Sequence, residues 1–302
     1  MKYDCAIIGG GPAGLNAALV LGRARRRVLL VDDDKARNRV TREAHGFITR
    51  DGIKPAEFRK LAHAEIAQYP TVEIKKETVI SIIRLSKNEF SITTSEGYTI
   101  SSTKILLATG LKDEQPNIPD IEQFYGTSLF SCPYCDGWEL RDKPLAVIAD
   151  KNVYKLAKEA YIWSEDLAVF TNGEGRLEWE ERNRLLAKGI KVYEDMISGL
   201  EGKNGQLRSV RLEDGTLIDR SGGFVTPVWS LPHSFADELG CELNEFGGIQ
   251  TDRYGRTNVW NVYAAGDTTH IVPAQLVIAA GTGSAAAIGI NGDLTNALFD
   301  GE

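Results

Sequence analysis

Two cysteines three positions apart, in the run Cys132-Pro133-Tyr134-Cys135-Asp136, are the residues of this chain best placed for covalent chemistry. Thiols at that spacing can close a small disulfide ring. Once the ring is open, one thiolate can attack a substrate disulfide while the other resolves the mixed disulfide. Asp136 is the candidate acid that protonates the departing thiolate. Two other uses of the pair compete with this one. A zinc site needs a further ligand pair, and none of His45, His63, His233 and His270 forms one at finger spacing, so no metal is expected. A purely structural disulfide is the other, and it suits a reducing compartment poorly. Of the two remaining cysteines, Cys5 falls in the first apolar strand and reads as a small buried hydrophobe, while Cys241 has no partner in sequence.

A second chemistry is written at the N-terminus. Gly9, Gly11 and Gly14 form G-x-G-x-x-G between an apolar run ending at Ile8 and a helical pattern, with Pro12 and Ala13 inside the motif. The first glycine allows a tight turn, the second lets backbone approach a pyrophosphate, and the third lets the helix pack on the strand. The next strand, Val28 to Val31, runs into Asp32 and Asp33. An acid there, about 20 residues on, can hydrogen-bond a ribose hydroxyl. The pattern in this setting predicts dinucleotide binding.

The elements that must position these groups follow from patterning. Tyr3 to Ile8, Ala13 to Leu21 and Val28 to Val31 predict a strand, helix, strand unit, and Leu145 to Ile148, Val153 to Trp163 and Leu167 to Phe170 predict a second. A helix is expected over 53–68, strands over 72–83, 89–94, 98–100 and 104–108, and a linker over 112–120 with Pro116 and Pro119. A strand over 262–265 and a small-residue helix over 275–290 return to the first unit, so the second is an insertion. The 302 residues suit two domains, and 42% hydrophobic with 25% charged residues is ordinary for a soluble globular protein. A net charge of −7 argues against nucleic acid as a partner. No apolar run is long enough for a membrane span, and no signal peptide is evident, so the expectation is a cytoplasmic protein. Arg23, Arg25, Arg26 and Arg27 cluster where the first helix should end, which reads as helix capping or as a dock for an acidic protein.

Several of these strings are shared with known proteins. IIGGGPAGLNAA resembles the FAD-binding start of two-dinucleotide-domain flavoproteins, ATG at Ala108, Thr109 and Gly110 is similar to their second element, and YAAGDTTH, from Tyr263 to His270, to their third. That resemblance implies FAD as cofactor. It places Gly266 and Asp267 at the flavin's ribityl and phosphate region and directs Gln275 and Leu276 toward the isoalloxazine ring. CPYCDGWE after a linker resembles the low-molecular-weight thioredoxin reductases and their relatives that act on small dithiols. Arg37 and Asn38, with His45 in HGFITRDG, are similar to the second group, where these segments line the flavin. The implied fold class is α/β, with two dinucleotide-binding (three-layer ββα, Rossmann-like) domains: a discontinuous FAD domain over 1–117 and 243–302, and a redox-disulfide domain over 118–242. The resemblance also implies a homodimer whose cysteine domain rotates, and a thioredoxin-like protein or a small disulfide or dithiol as substrate.

The pattern breaks in the inserted domain. Relatives bind NADPH there through a G-x-G-x-x-A turn and a basic motif. Here Ala149, Lys151 and Tyr154 take the three small positions, and Thr171-Asn172-Gly173, with only Arg176 beyond, replaces the basic clamp. The favoured expectation is a fold kept without the nicotinamide cofactor. Electrons would then come from a ferredoxin-type donor or a second flavin, with Tyr154, Tyr161, Trp163 and Trp179 as candidates to fill the vacated space. A divergent NAD(P)H-dependent reductase, an oxygen-using dithiol oxidase and a non-catalytic flavin redox sensor are the alternatives.

Overall fold

A computed structural model describes residues 2–173, 176–269 and 273–301. The chain divides into two compact units. The first runs from the N-terminus to Arg39, then Gly46–Lys112, then Trp229 to the C-terminus; the second is Val40–His45 with Asp113–Val228.

In the first unit, β1 (Lys2–Ile8), apolar and buried from Cys5 onward, and the all-apolar β2 (Val28–Val31) flank α1 (Pro12–Arg23). Pro12 at the first helical position costs α1 nothing, because the N–H it lacks would have no intrahelical partner. After β2 come α2 (Pro55–Ile66), β3 (Val72–Lys75), β4 (Val79–Ser86), β5 (Glu89–Thr94) and β6 (Thr99–Leu107). Strand β6 is continuous where sequence reading split it, because both of its halves find partners: antiparallel β5 along Thr99–Ser102 and parallel β1 along nearly its whole length. From β7 (Lys112–Glu114) the chain enters the second unit.

The second unit holds β8 (Leu129–Phe130), α3 (Pro133–Leu140), β9 (Leu145–Ile148), α4 (Val153–Ala160), β10 (Leu167–Phe170), α5 (Trp179–Ala187) and β11 (Lys191–Tyr193). A meander, β12 (Ile197–Lys203), β13 (Gln206–Leu212) and β14 (Leu217–Asp219), precedes β15 (Gly222–Val225). Strands β9, β10 and β15 are buried at every residue, as a parallel sheet covered on both faces requires, and the sheet order is β11-β10-β9-β15-β8.

The chain returns through β16 (Val228–Ser230) and α6 (Phe235–Leu239) to β17 (Val262–Ala264) and α7 (Leu276–Asp300). Strand β17 pairs parallel with the C-terminal half of β6, which completes the order β3-β2-β1-β6 with β17 and the β5-β4 hairpin beside β6. Among the described residues no helix is long and apolar enough to cross a membrane.

A polar cluster ties α7 to this sheet. Asp293 accepts both Arg256 Nε and Nη2, at 2.8 and 2.7 Å, and the Tyr263 hydroxyl. Lys104, buried in β6, reaches Asn261 and the Tyr263 hydroxyl. Burial works to raise the Asp293 carboxyl, but the Arg256 and Tyr263 hydrogen bonds and the charges of Arg256 and Lys104 outweigh it and hold it below the usual range. Asp293→Ala should therefore lower stability at pH 7 by about 2–3 kcal/mol, measured by urea unfolding of the holoprotein. Because the native carboxyl is depressed, its contribution is present above the unfolded pKa and lost on acidification. The difference between parent and variant should shrink below about pH 4.

Candidate redox and dinucleotide site

The glycine turn is a steric device. Gly9 has φ +107°, and a Cβ there would lie 2.3 Å from the Ala108 carbonyl oxygen; a Cβ on Gly14 would lie 1.9 Å from the Gly9 oxygen. Those two glycines let α1 and β6 press onto the end of β1. Gly11 differs, since a Cβ there meets nothing within 4 Å. Its smallness leaves room in front of the N-terminus of α1, where no acidic side chain or side-chain cap takes up the free N–H groups.

The other predicted segments of the first unit gather at this end of the sheet. Ala13 touches both Gly266, from the turn after β17, and Gly283 of α7, whose added Cβ would lie 2.1 Å from the Ala13 oxygen. Thr109 Oγ1 is 3.4 Å from Thr268 Oγ1, and Gly110 and Gly266 both take positive φ. Arg37 Nη2 lies 2.8 Å from Asp267 Oδ2, which joins the segment after β2 to the turn after β17, with Asn38 next to it in a short 3-10 turn. Gln275 is the N-cap residue of α7 and Leu276 its first helical residue. His270 lies outside the described residues.

Asp32 ends β2 as expected, accepting the Gly10 N–H at 2.9 Å. It also pairs with Arg59 of α2, a partner that sequence reading missed because no motif marks it. Arg59 Nε is buried without a hydrogen-bond partner. Asp33 faces a local turn, accepting the Lys35 N–H at 3.1 Å. The arginine cluster is partly structural: Arg26 bonds Asn291 and Thr295 of α7, and Arg23 bonds the Tyr69 hydroxyl. Cys5 is buried in β1 and its thiol is pushed up to about 12 by burial, and Cys241 is buried too; neither is placed for exchange chemistry.

In the second unit Cys132 and Cys135 form a disulfide, with Cα atoms 5.3 Å apart, at the start of α3. Cys132 is the N-cap residue and Pro133 opens the helix. The Cys135 and Asp136 N–H groups donate to the Cys132 carbonyl at 3.1 and 3.2 Å. A thiolate formed here sits at a helix N-terminus, whose partial positive charge favours the anion. Helix α3 itself escaped sequence reading because eight residues carry too little periodicity. Its seat is Trp163: a Cβ on Gly137 would meet that ring at 2.5 Å, and Tyr134 stands edge-on to it at 5.4 Å. Trp163 thus supports the cysteine helix and fills no vacated space. Trp179 is exposed at the start of α5, and Tyr154 and Tyr161 line an apolar groove of about 470 Å³ between α4 and α5.

Asp136 is half-buried, and burial first, then the negative charge of Glu139, pushes its carboxyl up to about 7. His45, expected near the cofactor, belongs to the second unit, with Nε2 3.8 Å from Glu139 Oε1 and 3.9 Å from Glu43 Oε2.

The turn between β9 and α4 is built differently from the glycine turn. It spans Ala149 to Asn152, one residue longer than Gly9 to Gly11, and its left-handed residue is Asn152 at φ +56°. Ala149 is buried, Lys151 is exposed, and Tyr154 stands on the first turn of α4 with the Lys158 ammonium 5.3 Å from its ring.

The chain resembles known proteins along nearly its whole length. The family model for pyridine nucleotide-disulphide oxidoreductases matches residues 3–283. A crystal structure from Bacillus anthracis, provisionally named thioredoxin reductase TrxB, is 46% identical with a TM-score of 0.95, over 98% of this chain and 100% of that one. The crystal structure of an oxidoreductase from Agrobacterium tumefaciens is 33% identical with a TM-score of 0.91, over 98% of this chain and 99% of that one. Thioredoxin reductase sirT of Leptosphaeria maculans is 31% identical over 96% of this chain and 93% of its own length.

The raised Asp136 carboxyl has a consequence for stability. A carboxyl whose native pKa lies above its unfolded value favours the folded state at low pH, and that contribution is lost as pH rises from about 4 to about 7. Asp136→Asn should unfold at a higher urea concentration than the parent at pH 8, by on the order of 2 kcal/mol, with the gap closing near pH 4.

Proposed function

The chain belongs to the pyridine nucleotide-disulphide oxidoreductase family, and we propose that it is an FAD-dependent dithiol/disulfide oxidoreductase working through Cys132 and Cys135 but not drawing directly on NADPH. The observation that carries the reading is the closed cysteine pair at the mouth of α3 beside a half-buried acid that holds its proton to about pH 7. FAD suits the first unit: there is open space at Gly11, free N–H groups at α1, an acid at Asp32, and the unpartnered Nε of Arg59. Gly9, Pro12, Ala13 and Gly14 would shape the pyrophosphate seat, with Asp32 toward the ribose. Arg37, Asn38, Thr109, Asp267, Gln275 and Leu276 would border the rest. Bound there, FAD supplies a two-electron acceptor and donor for the cysteine pair.

In the exchange step a substrate thiolate attacks one sulfur of the Cys132–Cys135 bond. That S–S bond breaks, a mixed disulfide forms, and the other cysteine leaves as thiolate. The Asp136 carboxyl gives that sulfur its proton and becomes carboxylate. The second substrate thiolate then displaces the enzyme sulfur, so the substrate is oxidised by two electrons and the cysteines are reduced. Reversal reduces a disulfide through the same atoms. A thioredoxin-like protein or a small dithiol or disulfide is the substrate class.

The nicotinamide reading is disfavoured by the β9–α4 turn, where Lys151 and Tyr154 carry side chains at positions that must be small for backbone to approach a pyrophosphate and for helix to pack on strand. A ferredoxin-type donor or another redox partner of a cytoplasmic homodimer takes that role in this proposal.

Anaerobic mixing with dithiothreitol tests the conduit. Flavin absorbance should bleach in the parent and roughly 100-fold more slowly in Cys132→Ser and Cys135→Ser; equal rates would sink the assignment. In the same cell NADPH and NADH should leave the visible absorbance unchanged, and rapid stoichiometric bleaching by either would restore a nicotinamide site.

A further inference from the structure

Asp136 does not sit alone. Glu139 follows it one helical turn later on α3, so the two carboxyls share a face of the helix. The segment 40–45, which belongs to the second unit, brings His45 Nε2 against Glu139, with Glu43 at the same nitrogen. The His45 side chain is 15% exposed while Glu139 and Glu43 are 39% and 54% exposed, so one imidazole nitrogen faces two carboxylates open to water. This makes a graded series from the half-buried acid outward: Asp136, Glu139, His45, Glu43.

We propose that His45 is a positioning residue for the thiol–disulfide exchange, setting through Glu139 the pH at which Asp136 releases its proton. The proposal rests on the reading of Asp136 as the proton donor to the leaving cysteine. When the imidazole carries a proton, its charge offsets Glu139, and the carboxylate form of Asp136 is less disfavoured. When the imidazole is neutral, Glu139 acts in full and Asp136 keeps its proton longer. A positive charge at residue 45 therefore favours the Asp136 carboxylate, and a neutral residue there favours the acid. Two cations lie at the end of α3: the Lys143 ammonium donates to the Glu139 carbonyl oxygen at 2.7 Å, and Arg141 Nη1 donates to the Trp138 carbonyl oxygen at 2.6 Å. Of the elements packed on α3, β15 carries no ionisable side chain, and α4 carries Tyr154, Lys155, Lys158 and Glu159. Besides burial, Glu139 supplies the shift at Asp136. On α3 itself the cysteines are held in the disulfide and Tyr134 points outward beside Trp163.

The test is a titration rather than a rate. The oxidised holoprotein is labelled with [4-13C]aspartate, the Asp136 signal is identified by its absence in Asp136→Asn, and its chemical shift is followed from pH 4.5 to 9, a range of about that width being needed to span both groups. The parent should show a midpoint at about 7. His45→Ala should raise it by about one pH unit, His45→Lys, with its permanent charge, should lower it by a similar amount, and Glu139→Gln should also lower it. A midpoint that stays at the parent value in both His45→Ala and His45→Lys would overturn the coupling, whatever Glu139→Gln does. If it stays there while dithiothreitol bleaching still requires both cysteines, the inference about His45 fails and the proposed function stands. If it moves but bleaching ignores the cysteines, the coupling holds and the catalytic reading of Asp136 fails.

Discussion

The backbone contact between Gly14 and the Gly9 carbonyl oxygen is the constraint from which the first unit is organised. A methyl group at Gly14 would stand 1.9 Å from that oxygen, so α1 reaches its seat on β1 only with no side chain there. Once α1 is seated, Ala13 meets the backbone of Gly283, and α7 must cross close to α1; that crossing in turn places Gly266 against the Ala13 methyl. One close approach thereby brings segments more than 250 positions apart to a single end of the sheet. The Asp293, Arg256 and Tyr263 bonds fix the far part of α7 to the same layer, so the helix is held at two places along its length.

The second unit repeats the topology without the clearance. Its strands β9, β10 and β15 form a buried parallel core as regular as that of the first, so burial alone accounts for the fold. Between β9 and α4, however, the connection is one residue longer and takes its left-handed turn at Asn152, a residue that tolerates that conformation through its short polar side chain. Sheet packing and phosphate binding thus impose separate demands on a strand–turn–helix unit. The first needs apolar strands, which are present; the second needs small residues, and Lys151 and Tyr154 stand at two of those positions here. A groove lined by Tyr154 and Tyr161 lies where α4 meets α5.

What sequence showed and what it hid divide along the same line. Steric necessity leaves a local trace: glycines at 9, 11 and 14, a small-residue helix after 275, and all-apolar strands at 28–31 and 145–148 were each readable, and each belongs to a close backbone approach or a fully buried strand. The interactions that escaped are between single side chains distant in sequence. Arg59 reaches Asp32 across 27 positions, His45 reaches Glu139 across 94, and Trp163 underlies Gly137 across 26, none with a motif to announce it. Helix α3 was hidden for another reason, since eight residues with a proline first and a glycine fifth give no period to detect. The end of α7 was read ten residues short because its last turns, with Leu298 and Phe299 exposed, no longer follow a buried face.

The cysteine helix joins two electrostatic preferences that pull opposite ways. The N-terminus of α3 favours negative charge, which helps a thiolate at Cys132 or Cys135, and it would favour the Asp136 carboxylate as well. If the helix end governed alone, Asp136 would ionise early and have no proton to give. Burial and Glu139 reverse the order for the carboxyl only: Asp136 lies beneath the surface with a like charge one turn away, and its carboxyl stays protonated to about 7. In the proposed exchange, position along one short helix is therefore enough to separate the group that acts as an anion from the group that acts as an acid. Because the second effect depends on a charge, it can be adjusted from outside the helix, and the imidazole brought in by residues 40–45 is placed at that charge.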